Sequence, residues 1–285
     1  MWIVFAFMSS LFAGITAVFS KCGIQKTNSI IATAFRTIVI LICSWGMVFI
    51  VGSQHMIKEI SLKTWVFLIL SGFATGASWL CYFKALQLGD INKVVPIDKS
   101  STILTILFSF LFLKEKFTLG KGIGSIFMGI GTFLMIQKKS STSKQSSKTW
   151  IIFALLSACF ASLTTLLGKV GIDGVESNLG TAIRTIVILI MSWSMVFITR
   201  VQKEIRFIPK KEIVFLFFSG IATGISWLCY FYALQKGDTS VVVSIDKLSI
   251  IVTIFFSFLV FKEKLSIKAF LGLILVVVGI LLMLL

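Results

Sequence analysis

The two halves of this chain repeat one another, and this internal repeat constrains the fold more than any other feature of the sequence. When the sequence is shifted by 148 residues, SWLCYFKALQLGD, which begins at Ser78, aligns with SWLCYFYALQKGD, which begins at Ser226. The alignment continues without a gap along both halves, and roughly half of the paired positions carry the same residue. The chain is therefore a tandem duplication, and we expect each half to adopt the same fold.

Each half contains five apolar segments that approach the ~20 residues needed to cross a lipid bilayer as a helix. Hydrophobic residues make up 57% of the chain and charged residues only 13%, which excludes a soluble domain. The sequence predicts an all-α membrane protein of ten transmembrane helices, with a first repeat at 1–137, a polar linker at 138–149 and a second repeat at 150–285. The predicted spans are 2–19, 30–51, 64–86, 94–113 and 120–136, then 150–167, 178–199, 212–234, 241–261 and 266–285.

The odd number of spans places the two repeats in opposite orientations. A repeat of five spans ends on the side of the membrane opposite to the side where it begins, so the second repeat enters the bilayer upside down. Inverted repeats are related by a pseudo-two-fold axis in the membrane plane, and their substrate site is expected near the midplane.

The distribution of lysine and arginine among the loops predicts the orientation, because cytoplasmic loops carry an excess of these residues. One set of alternate loops carries fifteen of them: Lys21, Lys26, Lys93, Lys138, Lys139, Lys144, Lys148, Arg200, Lys203, Arg206, Lys210, Lys211, Lys262, Lys264 and Lys268. The other set carries seven: Lys58, Lys63, Lys114, Lys116, Lys121, Lys169 and Lys236. We therefore expect a plasma or inner membrane protein with a cytoplasmic linker and both termini outside.

Among the charged residues inside predicted spans, an arginine and an aspartate recur at matching positions of the two repeats. They are Arg36 and Asp98 in the first repeat, and Arg184 and Asp246 in the second. A charge near the bilayer centre costs about 2.5–3.5 kcal/mol, which makes each one a candidate for function. Arg36 and Asp98 enter from the same side, so we predict an ion pair that serves as a gate or substrate element, repeated near the opposite face. In the alternative interpretation, each Arg extends to lipid headgroups and each Asp pairs with the lysine after it.

The third span of each repeat carries a second group of candidate site residues. Their hydroxyl and aromatic side chains suit a pocket with apolar walls and a few polar groups, and the alternative is an aromatic belt at the membrane interface. These residues are Ser78, Trp79 and Tyr82, with Ser226, Trp227 and Tyr230 as their counterparts. Glycines in the third and fifth spans indicate close helix packing. Glu115 and Glu263, at span ends, are interpreted as solvated.

The sequence offers no motif for enzymatic chemistry or for a cofactor. His55, the only histidine, has no partner at the spacing of a metal site, and the five cysteines are scattered without a CxxC pair. No catalytic triad, zinc-protease or phosphate-loop pattern appears. The net charge of +16 is carried mostly by loops and not by a basic face, so nucleic acid is not an expected partner. We expect no enzyme, no metal and no cofactor.

Each half resembles a five-helix EamA domain of the drug/metabolite transporter superfamily. The resemblance rests on YFKALQLGD followed by VVPIDKSSTILTILFSFLFLKEKFT, and on the matching residues of the second half. It implies gradient-driven transport of amino acids, metabolites or drugs, with protons as a coupling ion, through a cavity formed by the first four spans of each half. The cavity or gate positions that it implies are Arg36, Trp79, Tyr82 and Asp98, with Arg184, Trp227, Tyr230 and Asp246. For single-domain relatives, the resemblance implies that two chains pair. The duplication joins two such domains in one chain here, so we expect a functional monomer in the lipid bilayer.

Two departures from the family pattern bear on the function. The first and sixth spans lack the carboxylate that related small multidrug transporters use to bind a cation or proton, and the proline of VVPID is replaced by Ser244 in the second half. The first departure disfavours an exporter of drugs or cationic compounds, and the matched intramembrane charges disfavour a scaffold that transports nothing. The leading hypothesis is a secondary transporter of small polar metabolites, among them amino acids and similar zwitterions, and both alternatives stay open.

Overall fold

The computed structural model describes residues 1–88, 91–135, 149–261 and 266–284. The predicted linker, apart from Thr149, and Glu263 lie outside the described residues. The helices of the first half are α1 (Trp2–Gly23), α2 (Ser29–Val51), α3 (Leu62–Leu88), α4 (Ile91–Lys99), α5 (Ser101–Phe112) and α6 (Leu119–Met135). Those of the second half are α7 (Thr149–Ile172), α8 (Ser177–Ile198), α9 (Lys210–Lys236), α10 (Thr239–Asp246), α11 (Ser249–Phe261) and α12 (Ile267–Leu284). Two 3₁₀ segments, Ser53–Glu59 and Val201–Phe207, follow α2 and α8.

The described part of the chain contains eight helical segments that are long and apolar enough to cross a membrane, one of which, Thr239–Phe256, joins α10 to most of α11. The helix α6 is a shorter apolar helix. The chain is therefore an all-α, multi-pass membrane protein, as the sequence predicts. The number of ten spans stays a prediction.

The fourth predicted span of each half is divided into two helices, which the sequence does not predict. The breaks fall at Ser100 and at residues 247–248, which include its counterpart Leu248. In both, the backbone tightens into a hydrogen bond of the 3₁₀ type. The N–H of Ser100 donates to the carbonyl of Ile97 at 3.1 Å, and the N–H of Leu248 donates to the carbonyl of Ile245 at 2.9 Å. Because these positions are equivalent, the break belongs to the duplicated fold, and the proline found only in the first half is not its common cause.

The helices form two compact packing units, and each unit takes segments from both halves of the sequence. Unit 1 contains Met1–Phe73, Leu167–Gly237 and Ser249–Glu263, and unit 2 contains Ala74–Leu166, Asp238–Leu248 and Lys264–Leu285. The division passes through α3 and α7, so each of these helices contributes to both units. The packing units therefore differ from the two sequence repeats.

In unit 1, α1 packs along α9, and α2 packs on α8 and α9. Small side chains make these approaches possible: the Oγ atoms of Ser20 and Ser219 lie 2.8 Å apart between α1 and α9. Where α9 crosses α2, a Cβ on Gly220 would lie 2.6 Å from the Cβ of Val39. Close packing and hydroxyl contacts of this kind drive helix association in lipid, where burial of apolar surface does not.

In unit 2, α6 and α12 form a close pair, and α10 packs on α5 and α12. The crossing of α6 and α12 is built on glycines that recur in both halves. A Cβ on Gly124 would lie 2.5 Å from the carbonyl oxygen of Gly279, and one on Gly131 would lie 2.5 Å from that of Gly272. The backbones of the two helices therefore touch directly, as the glycine pattern predicts.

Candidate functional site

The structure places the predicted site residues in both packing units. Unit 1 holds Arg36, Arg184, Ser226, Trp227 and Tyr230, and unit 2 holds Ser78, Trp79, Tyr82, Asp98 and Asp246. Each predicted Arg–Asp pair joins residues of different units, and these pairings stay predictions. Within each unit, the contacts of these residues define a separate group of polar side chains.

Arg36 lies near the start of α2 and reaches across to α9. Its Nη2 donates a hydrogen bond of 2.8 Å to the hydroxyl of Thr223, while its Nε has no hydrogen-bond partner among the described residues. The chain just before α2 is fastened to α9 by Glu212, whose carboxylate accepts from the N–H of Thr27 at 2.9 Å. Arg36 is therefore held at a defined place while its side chain stays partly exposed.

Arg184, the counterpart in α8, is almost fully enclosed, with 2% of its surface exposed. Its Nε donates to the hydroxyl of Ser71 at 2.8 Å, and its guanidinium carbon lies 4.1 Å from the ring centroid of Phe231. The ring of Tyr230 packs on that of Phe231 with centroids 5.2 Å apart. An aromatic face attracts a guanidinium more strongly when water is excluded, so this stacking stabilises the buried arginine.

Equivalent residues of the two halves differ in burial although their sequences nearly match. Ile24, just after α1, is 41% exposed, whereas its counterpart Ile172, the last residue of α7, is fully buried. Other pairs are partly exposed in the first half and buried in the second: Thr33 and Thr181, Arg36 and Arg184, Phe83 and Phe231, Leu86 and Leu234, Val95 and Val243, and Ile97 and Ile245. The buried members lie near the end of α7, the start of α8, the end of α9 and within α10.

The serines predicted for a pocket take part in helix packing. Ser78 Oγ donates to the carbonyl of Ser157 at 3.0 Å, and Ser226 Oγ donates to the carbonyl of Ser9 at 3.0 Å. The two hydrogen bonds are equivalent under the repeat, so they belong to the duplicated fold. The tryptophans that follow these serines are partly exposed, and their role in a pocket stays a prediction.

Asp98 lies near the end of α4, directly before the helix break. Its carboxylate accepts a hydrogen bond of 2.8 Å from Ser157, whose hydroxyl-bearing side chain is fully buried on α7. Tyr82 of α3 packs with Trp150 against a small apolar core in the same unit. Asp98 is thus held by a side chain that helix packing fixes in place.

The break of the second half brings further charges to Asp98. Lys247 lies within electrostatic range of Lys99, Asp246 and Asp98, and all four residues belong to unit 2. We call these four residues the break quartet. Each half contributes one Asp–Lys pair from the same tripeptide IDK, at the helix break. Sequence reasoning treated the lysines only as anchors for the neighbouring Asp, although the recurrence of IDK inside both fourth spans was a signal that could have found them.

Glu115 differs from its interpretation as a solvated residue at a span end. Its carboxylate accepts from the N–H of Ser240 at 3.1 Å and from the hydroxyl of Ser240 at 2.6 Å, and also from the N–H of Thr239. Glu115 therefore caps the start of α10, where the backbone N–H groups of the first helical turn favour a negative charge. At the residue before α10, Asp238 accepts from the ammonium of Lys121 at 2.7 Å.

Comparison with known families identifies a match in each half of the chain. The model of the EamA-like transporter family matches residues 1–137 and again 148–285. The two matches correspond to the two sequence repeats, so the family's unit occurs here twice.

Several relatives match about half of this chain. A protein of Sinorhizobium sp., described as an uncharacterised transporter in the cobO 3′ region, is 46% identical over 134 residues, which is 47% of this chain and 95% of the relative. A protein of Methanocaldococcus jannaschii, described as uncharacterised, is 29% identical over 136 residues, which is 47% of this chain and 96% of the relative. These two relatives have the length of one repeat. A protein of Bacillus subtilis, described as an uncharacterised transporter, is 26% identical over 141 residues, which is 49% of this chain and 45% of the relative.

A solved crystal structure shares the fold of the whole chain. It superposes with a TM-score of 0.79 over 98% of this chain and 95% of its own, at 15% sequence identity. At this identity the likeness shows the fold alone.

Proposed function

Because this chain belongs to the EamA-like transporter family, we propose that it is a secondary active transporter of small polar metabolites, with amino acids and similar zwitterions as the preferred class. It works by alternating access between two inverted repeats of five spans each. Arginines and carboxylates within the spans provide charged groups for both ends of a zwitterion. Protons are the coupling ion that the family favours.

The observation that carries this proposal is the difference in burial between equivalent residues. Arg36 and Arg184 occupy the same place in nearly identical sequences, yet the first is partly exposed and the second almost fully enclosed. Inverted repeats in different conformations produce such a difference, because one end of the transporter is closed while the other is open. The asymmetry therefore supports one state of an alternating-access cycle, closed on the side of Arg184.

The loop charges favour the outside of the cell as that closed side. The fifteen-to-seven distribution of lysine and arginine favours a cytoplasmic linker and extracytoplasmic termini in a plasma or inner membrane. Under this proposal, Arg36 lies toward the cytoplasm and the asymmetry corresponds to an inward-open state. Reporter fusions at the two termini test the orientation, and cytoplasmic activity at either terminus would contradict it.

Counterflow in proteoliposomes tests the transport function. Vesicles that contain the purified full chain are loaded with one amino acid, and uptake of the same labelled amino acid is measured for all twenty in turn, with and without a proton gradient. We expect uptake of at least one amino acid above that of empty vesicles. Uptake of cationic drugs alone would support a multidrug exporter, and no uptake of either class would support a scaffold.

A further inference from the structure

We propose that the break quartet of Asp98, Lys99, Asp246 and Lys247 is a charge-balanced binding site for a zwitterion, with Asp98 on its ammonium group and Lys247 on its carboxylate. This inference rests on the proposed transport function, and it identifies where the substrate binds and why zwitterions are preferred.

The two helix breaks explain why a ligand site forms at this place. In a span, backbone that departs from the helix is tolerated where it lines a cavity, and discontinuous spans are where transporters place their ligands. Both breaks of this chain occur at equivalent positions, Ser100 and Leu248, and α10 packs on α5 within unit 2. The quartet flanks these breaks.

The side chains of the quartet differ in exposure. Lys99 is exposed, and Asp98, Asp246 and Lys247 have intermediate exposure. Asp98 is also preorganised, because the buried hydroxyl of Ser157 donates to its carboxylate at 2.8 Å. Lys247 rather than Lys99 receives the carboxylate, since Lys99 also lines a separate cavity of about 40 Å³ toward α6.

The net charge of the quartet determines which ligands it accepts. Two carboxylates and two ammonium groups cancel, so a zwitterion adds one charge of each sign and finds an opposite partner for both. A cation or an anion of the same shape leaves one uncompensated charge within a span, which is unfavourable. The site therefore selects zwitterions over analogues that lack either charge.

Ligand analogues test this selection on the wild-type protein. The twenty amino acids are tested singly by isothermal titration against the purified full chain. The tightest binder with an uncharged side chain is compared with its amide, a cation, and its 2-hydroxy acid, an anion. We expect the amino acid to bind at least tenfold more tightly than both analogues. An analogue that binds as tightly as the amino acid would overturn the proposal.

Charge-removing variants then test the assignment of residues. Lys247→Gln leaves the quartet with one excess negative charge, so we expect at least a tenfold loss of amino acid affinity together with a shift of preference toward the amide. Asp98→Asn leaves an excess positive charge and should shift preference toward the 2-hydroxy acid. A residue with only a structural role would not produce shifts of opposite sign.

Matched controls come from another Lys–Asp pair in the same unit. Lys121→Gln and Asp238→Asn remove the ion pair at the start of α10 and should leave ligand preference unchanged. Normal amino acid affinity in Lys247→Gln and Asp98→Asn would refute the site while the transport function stands. A wild-type protein that binds none of the twenty amino acids would contradict both. Should either variant fail to fold, Lys247→Arg and Asp98→Glu replace them, because these substitutions keep the charges. They should prefer the same ligand as the wild type, and a changed preference would count against the proposal.

Discussion

At the scale of single residues, the same side chain meets two different environments in the two halves. Arg36 donates to Thr223 and stays partly exposed, whereas Arg184 is enclosed between Ser71 and Phe231. The sequence shows that both positions are unusual, because an arginine inside a span is costly. It cannot show the difference in burial, since the neighbours along the chain are nearly identical and burial is decided by helices far away in sequence.

The buried Arg184 should tolerate substitution less than the partly exposed Arg36. Lysine cannot reproduce the planar stacking on Phe231 together with the hydrogen bond to Ser71, so Arg184→Lys should lower the free energy of unfolding by about 1–3 kcal/mol. Arg36→Lys, the matched substitution, should lower the free energy of unfolding by a smaller amount. Thermal unfolding of both variants in detergent compares them, and equal losses of stability would contradict the described environments.

At the scale of helices, the sequence predicts a multi-pass, all-α chain but not the breaks in its helices. Apolar residues continue through both fourth spans, and hydropathy therefore predicts one helix where the structure has two. The break depends on local backbone hydrogen bonds and on packing in unit 2, neither of which changes the hydropathy pattern. The role of Glu115 escaped prediction for a related reason: the helix start that it covers lies more than a hundred residues away in the chain.

Glu115 should stabilise the start of α10. Glu115→Ala removes the acceptor for two N–H groups and one hydroxyl, so we expect a loss of about 1–2 kcal/mol in stability and faster amide exchange within Thr239–Asp246. Glu115→Gln keeps an acceptor, so its stability should lie between that of the wild type and that of Glu115→Ala. Hydrogen exchange followed by mass spectrometry measures the effect, with Glu204→Ala on the exposed surface as control. Unchanged exchange in α10 would refute the role.

The crossing of α6 and α12 should depend on the absence of a side chain at Gly131. In Gly131→Ala the new Cβ would lie 2.5 Å from the carbonyl oxygen of Gly272 and 2.8 Å from the backbone nitrogen of Val276, and backbone cannot move aside as a side chain can. We expect a clear fall in Tm. Gly46→Ala is the matched control, because nothing lies within 4 Å of its new Cβ, and alanine favours the helix by about 1 kcal/mol. A larger fall in Tm in Gly46→Ala than in Gly131→Ala would contradict this close packing of α6 on α12.

At the scale of the whole molecule, duplication is evident from sequence, whereas the packing is not. The family match to 1–137 and 148–285 follows the sequence repeat, but the compact units divide α3 and α7 and combine segments of both halves. Sequence similarity records which segments descend from one another. It does not record which segments pack together, because that depends on how the second copy is inserted relative to the first.

The most direct test of alternating access is the labelling of one matched pair of residues. Thr33 and Thr181 are equivalent, and each donates its hydroxyl to the carbonyl four residues earlier at 2.8 Å, yet Thr33 is partly exposed and Thr181 is fully buried. Single cysteines are placed at these positions in a variant without the five native cysteines, and their reaction with a water-soluble maleimide is timed with and without the transported amino acid. We expect Thr33→Cys to react faster without substrate, and the amino acid to slow it while it accelerates Thr181→Cys. Equal rates that substrate leaves unchanged would contradict an alternating-access transporter.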